Sequence, residues 1–81
     1  MAKIAAFPIE MDDGDGTSTL LIGVDCVVYN VADEADEDTV TTDADGYFPE
    51  TTVTGSAGDL FRIRIENYEG KAGYYEVQSV A

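Results

Sequence analysis

Residues 60–66, LFRIRIE, alternate without interruption, with Phe61, Ile63 and Ile65 on one side and Arg62 and Arg64 on the other. A period of two is the mark of a half-buried β-strand. No window has apolar residues recurring at i, i+3, i+4 and i+7, so no helix is expected. Short strands at intervals of about 8 to 12 residues fit instead, at residues 3–9, 17–22, 24–31, 39–42, 47–53, 60–66 and 74–80. Eight Val, eight Thr, five Tyr and three Phe supply the β-branched and aromatic side chains that a sheet core requires. The expected fold class is all-β, a small antiparallel β-sandwich of about seven strands forming one domain over residues 1–81. A chain this short buries only about 60–65 % of its unfolded surface, which leaves little room for an internal active site.

The punctuation between these strands is rich in Asp, Gly and Pro. Pro8 cannot donate to a ladder, so residues 1–16 read as an edge strand or an N-terminal arm followed by the acidic loop DDGDG. Gly23 marks a bend between two runs. Residues 33–38, DEADED, hold five carboxylates in six positions and are expected to be an exposed connection, because burying them carries a large desolvation cost. Residues 41–50, TTDADGYFPE, read as a turn with residues 39–42 and 47–53 as the arms of a hairpin-like unit. Cys26 has no disulfide partner and lies in an apolar run, as a small core residue would.

Seventeen acidic residues against four basic ones give a formal charge of −13. A field of that sign repels phosphate backbones and anionic headgroups, so neither nucleic acid nor a membrane is an expected partner. Asp outnumbers Glu ten to seven and Lys is nearly absent, a balance that resembles proteins of salt-loving organisms. At about 1 M salt the Debye length falls to about 3 Å and the mutual repulsion of these charges is screened.

The Asp/Gly loops are the first place to look for a metal site, with Asp13, Asp15, Asp43 and Asp45 as candidates. An EF-hand loop needs oxygen ligands at positions 1, 3, 5 and 12 and Gly at 6. Placing Gly16 at position 6 puts Asp13 and Asp15 at 3 and 5, but Met11 at 1 and Ile22 at 12; placing Gly46 there puts Thr41 and Thr52 at the ends. Both stretches therefore read as Asp/Gly turns, and no metal or other cofactor is expected. Asp43, Asp45 and Glu50 lie close enough for acid–base chemistry but lack a cleft to separate their pKa values. With no His to activate Ser18, Ser56, Ser79 or Cys26, no catalytic residues are assigned and the chain reads as a non-enzyme.

The residues 41–48, TTDADGYF, resemble the T-D-x-D-G-x-F stretch of carboxypeptidase regulatory-like domains and their transthyretin-like (prealbumin-like) relatives. GVDCVV at 23–28 is similar to that family's G-V-x-V-x-V strand, and GDLFRIRI at 58–65 to its G-x-Y-x-V-x-V strand. The resemblance implies an immunoglobulin-like or transthyretin-like sandwich without catalytic residues, with Phe48 in the core. The expected function is a structural protein that docks in repeated copies, itself homo-oligomeric, on other protein subunits of a larger assembly. A virion capsid decoration or tail accessory protein of a salt-adapted host is the leading form, made in the host cytoplasm. A carbohydrate- or calcium-dependent adhesion module at the cell surface is the alternative. Interface candidates are Phe7, Pro8 and Ile9 in the N-terminal segment and Tyr74 and Tyr75, one of which must point outward.

Overall fold

The computed structural model describes the backbone of residues 1–81 and all side chains except those of Asn67 and Lys71. It contains no helix and ten strands: β1 (Ala2–Ile4), β2 (Phe7–Pro8), β3 (Glu10–Asp12), β4 (Ser18–Leu20), β5 (Asp25–Asn30), β6 (Ala35–Thr41), β7 (Tyr47–Phe48), β8 (Thr51–Val53), β9 (Leu60–Tyr68) and β10 (Lys71–Gln78). Every pairing is antiparallel. The all-β expectation holds at this level. The strand count differs by three: the expected strand 3–9 falls into β1 and β2, β3 adds residues 10–12, and Pro49, which has no N–H to give, divides the expected strand 47–53 into β7 and β8.

The longest sheet has the order β10-β9-β5-β6. Its inner face carries Cys26 and Val28 from β5 and Phe61, Ile63 and Ile65 from β9, all buried. The alternation that identifies residues 60–66 is thus the register of the core. Facing it are three short ladders that behave as one: β1 pairs with β8 and β2 with β7 in a single continuous register, Ala2 opposite Val53 through Pro8 opposite Tyr47. The Ile9 N–H then donates to the Gly46 carbonyl at 3.0 Å, the Leu21 N–H to the Ile9 carbonyl at 3.0 Å, and β3 continues against β4. This layer contributes Ala2, Ile4, Ile9, Leu21, Phe48 and Val53 to the same hydrophobic cluster. Fully burying each large apolar side chain contributes about 1.5–3 kcal/mol, and the cluster is what holds the two layers together.

Residues 2–12 supply the ladder strands β1, β2 and β3, with Ala2, Ile4 and Ile9 at 0–1 % exposure; their alternate side chains fill the core. Two local expectations change. Residues 33–38 are only partly a connection: the turn is residues 31–34, with Glu34 at φ 51, and Ala35 already begins β6. Edge position reconciles this with the charge, since Asp36 and Asp38 remain exposed while the backbone pairs with β5. Finally, 39–42 and 47–53 do not pair with each other. β6 pairs with β5, whereas β7 and β8 cross to the opposite layer to meet β2 and β1.

The far end of the chain also joins the two layers. Beyond β10, Val80 donates to the Lys3 carbonyl at 2.9 Å and Lys3 donates to the Ala81 carbonyl at 2.7 Å.

Candidate functional site

The turn at 43–46 is built by one carboxylate. Asp43 Oδ1 accepts the N–H of Asp45 at 2.9 Å and of Tyr47 at 3.0 Å, while the Gly46 N–H donates to the Asp43 carbonyl at 3.0 Å. Gly46 has φ 78, and a Cβ there would lie 2.7 Å from Leu20 Cβ; only glycine both adopts the left-handed conformation and admits the neighbouring strand. The Asp43 side chain organises the crossing between layers, and Asp45 lies exposed beside it.

The loop at 13–17 is similarly self-contained. Asp12 Oδ1 accepts the Gly14 N–H at 2.8 Å, Asp15 Oδ1 accepts the Thr17 hydroxyl at 2.6 Å and its N–H at 3.1 Å, and both oxygens of Asp13 accept from Thr19 Oγ1 at 2.8–2.9 Å. The hydrogen bonds from Thr17 hold the Asp15 carboxyl below its ordinary pKa. Among the described residues, no group of three or more His, Cys, Asp or Glu side chains is arranged to hold a metal ion. Adding millimolar Ca²⁺ is expected to shift the melting temperature no more than Mg²⁺ at equal ionic strength; a Ca²⁺-specific rise would restore the loops as a metal site.

Two further arrangements bring together residues from distant parts of the sequence. In the first, Asn30 is fully buried at the end of β5. Its Nδ2 donates to Asp33 Oδ2 and Asp59 Oδ2, both at 3.2 Å, and lies 3.5 Å from the Thr54 carbonyl; its Oδ1 accepts the N–H groups of Ala32 and Asp33. The amide ties the 31–34 turn to the 54–59 loop, a structural role. Cys26, four residues earlier on the same face of β5, is buried, and desolvation followed by the charge of Asp25 pushes its thiol up to about 11, which leaves it unreactive at neutral pH.

The second arrangement lies on the outer face of the four-stranded sheet. Register places Tyr29, Arg62 and Glu76 in one row across β5, β9 and β10, and Val27, Arg64 and Tyr74 in the next. Arg62 lies over the Tyr74 ring at 5.5 Å, and Arg64 pairs with Glu66 at 2.9 Å and Asp36 at 3.3 Å. These bonds, Glu66 before Asp36, raise the Arg64 pKa above its ordinary value. Arg62 and Glu76 pair at 3.4 Å. Exposed pairs of this kind contribute about 0–1 kcal/mol each, so these pairs add little to the stability of the fold.

Of the interface candidates, Ile9 is fully buried, Phe7 is half-buried and stacks on Phe48 at 5.4 Å, and Pro8 is exposed. Tyr74 points outward at 59 % exposure and Tyr75 inward, its ring meeting Phe7 edge-on at 5.5 Å. The alternation of Arg62 and Arg64 already marked this outer face, but the tyrosines join it only through cross-strand register. Comparison with protein-family models, curated proteins and solved structures finds no match.

Proposed function

We propose that the protein is a non-enzymatic structural component that docks in repeated copies on a larger protein assembly, using the outer face of the four-stranded sheet. The observation that carries this reading is the concentration of Val27, Tyr29, Arg62, Arg64 and Tyr74 on one face of a molecule of charge −13. Tyr and Arg are the residue types that anchor protein interfaces. The remaining surface is dense in carboxylates, which keep neighbouring particles apart. A virion capsid decoration or tail accessory protein in a salt-adapted host fits that combination, made in the host cytoplasm. The finer architecture belongs to the same proposal: a sandwich of the immunoglobulin-like or transthyretin-like kind, allied to carboxypeptidase regulatory-like domains, is supported by one core lying between two groups of antiparallel strands.

Sedimentation velocity in dilute buffer and in salt of about 2–3 M, well past the screening limit, tests the reading. The expected result is association at high salt that Tyr74→Ser with Arg62→Ser abolishes while the circular dichroism spectrum stays unchanged. A folded monomer under both conditions would overturn it. A second reading has its own support: Arg62 and Arg64, each held by carboxylates beside the exposed Tyr74 ring, form a charge-balanced array suited to a neutral saccharide, and binding on a glycan array would favour that adhesion role.

A further inference from the structure

The two layers meet along a seam that is closed at one end and open at the other. It is closed where Lys3 bonds to Val80 and Ala81. From there residues 2–12 and β10 diverge, leaving a groove of about 480 Å³ lined by Glu10, Met11 and Asp12 on one side and Ala72, Gly73, Tyr74 and Tyr75 on the other, with Ile65 also lining it.

Both margins of this groove are sheet edges with backbone groups facing into it. Ser79 donates to the Asp59 carbonyl, in line with the β9–β10 register in which Val77 opposes Phe61 and Tyr75 opposes Ile63. Successive backbone groups along a strand alternate in direction. The odd residues of β10 therefore bond β9, and the N–H groups of Tyr74 and Glu76 face the seam, on the same side as the Val80 N–H that bonds Lys3. On the opposite margin, Ile9 bonds Leu21 and β3 pairs with β4 in the same register, so the backbone groups of Glu10 and Asp12 also face the seam. Those of Glu10 are met by a side chain: the Tyr75 hydroxyl accepts the Glu10 N–H at 2.8 Å and donates to the Glu10 carbonyl at 2.8 Å. A tyrosine hydroxyl thus occupies the two bonds that a strand would make.

We infer that the groove is an acceptor for one added β-strand, and that its occupant is an extended, basic segment of a partner protein. The strand would pair with the outer edge of β10 and displace the Tyr75 hydroxyl from Glu10. Strand addition supplies affinity through main-chain bonds and specificity through alternate side chains. The groove margin gives three or four residues of contact, about 10–13 Å. Inward side chains of the added strand would meet Ile65, Met11 and the Tyr75 ring, which calls for small or branched apolar residues. Outward ones would pass Glu10, Asp12 and Glu76, which calls for Lys or Arg. No stretch of residues 1–81 has that pattern free of the core, since the one alternating Arg segment among them is β9 itself, and so these residues do not supply the strand and it is assigned to a partner. The inference rests on the reading of the protein as an assembly component, but uses the edge of β10 rather than the sheet face, the two meeting at Tyr74.

The test is amide hydrogen exchange of the full chain, followed residue by residue by NMR, with the acetylated and amidated hexapeptides KVKVKV and EVEVEV as probes. The Lys peptide is expected to slow exchange at Tyr74 and Glu76 at least about tenfold and the Glu peptide not to. Gly73→Leu, at a position with open space around its Cβ, should abolish the protection by filling the groove without altering charge. Tyr75→Phe should tighten binding by removing the competing hydroxyl. Protection along β6 instead of β10, unchanged exchange at Tyr74 and Glu76, or binding indifferent to Gly73→Leu would each overturn the inference; the last would expose simple charge attraction. Loss of this result with salt-dependent association through Tyr74 and Arg62 intact would leave the docking role standing without the acceptor groove.

Discussion

Replacing Phe48 with alanine is expected to destabilise the fold by about 3–5 kcal/mol, the range for removing a buried aromatic side chain. A chain of this length has on the order of 4–12 kcal/mol in total, so the variant should be largely unfolded under mild denaturant. The ring is fully buried, stacks on Phe7 and sits opposite it in the β2–β7 ladder. Phe48 is the first buried ring after the crossing at 43–46, and it seats the returning strand against the opposite layer. Urea titration at fixed high salt measures the loss. Tyr47→Ala supplies the control: Tyr47 is adjacent but 40 % exposed, and its removal should cost under about 1 kcal/mol. A larger loss at Tyr47 than at Phe48 would mean that the strand is turned the other way.

Asn30→Leu is expected to cost about 1–2 kcal/mol although the replacement has nearly the same shape, because it removes the hydrogen bonds by which the buried amide ties the partly buried Asp59 carboxylate and the 31–34 turn together. Asn30→Asp makes a sharper test. It would place a third carboxylate against Asp33 and Asp59, and like charges so close raise the pKa of the introduced carboxyl in the folded state above its unfolded value. Stability tied to a raised folded pKa is present below the unfolded value, near 4, and is lost as pH rises through the folded value. The deficit of Asn30→Asp relative to the native chain should therefore be largest at pH 7 and shrink on acidification towards pH 4. Melting curves of both proteins across that range would show it, and a deficit independent of pH would contradict the proximity of the three groups.

The parts of this fold legible in the sequence are those in which each residue reports its own side. The alternation of Phe61, Ile63 and Ile65 with Arg62 and Arg64, and of Cys26 and Val28 with their neighbours, needs no knowledge of a partner strand. What escaped depended on pairing. Asp43 and Gly46 signal a chain reversal with clear chemistry, but the same turn serves a hairpin or a crossing between layers, and only the distant residues 2–8 decide which. The start of β6 lay hidden in carboxylates because Asp and Glu have poor strand propensity; β5 supplies the ladder that propensity does not. Asn30 gave no signal, since its distant partners Thr54 and Asp59 reach it only once β9 lies beside β5. The arginine–tyrosine face was half legible: parity within β9 set the arginines outward, whereas Tyr29 and Tyr74 joined them through cross-strand register.

The bonds between Lys3 and residues 80 and 81 make the ordering of this chain a matter of time as well as of energy. They close a loop spanning nearly the whole sequence, and the entropy of closing a loop is lost before its contacts can compensate. Strand β1 can form its ladder with β8 only after some fifty intervening residues have been synthesised, and its other edge must wait for the last thirty. A topology dominated by such distant pairings folds in milliseconds to seconds rather than microseconds. During that interval the apolar side of residues 2–9 stays uncovered, and the density of carboxylates around it then protects the nascent chain from its own copies before any finished surface exists.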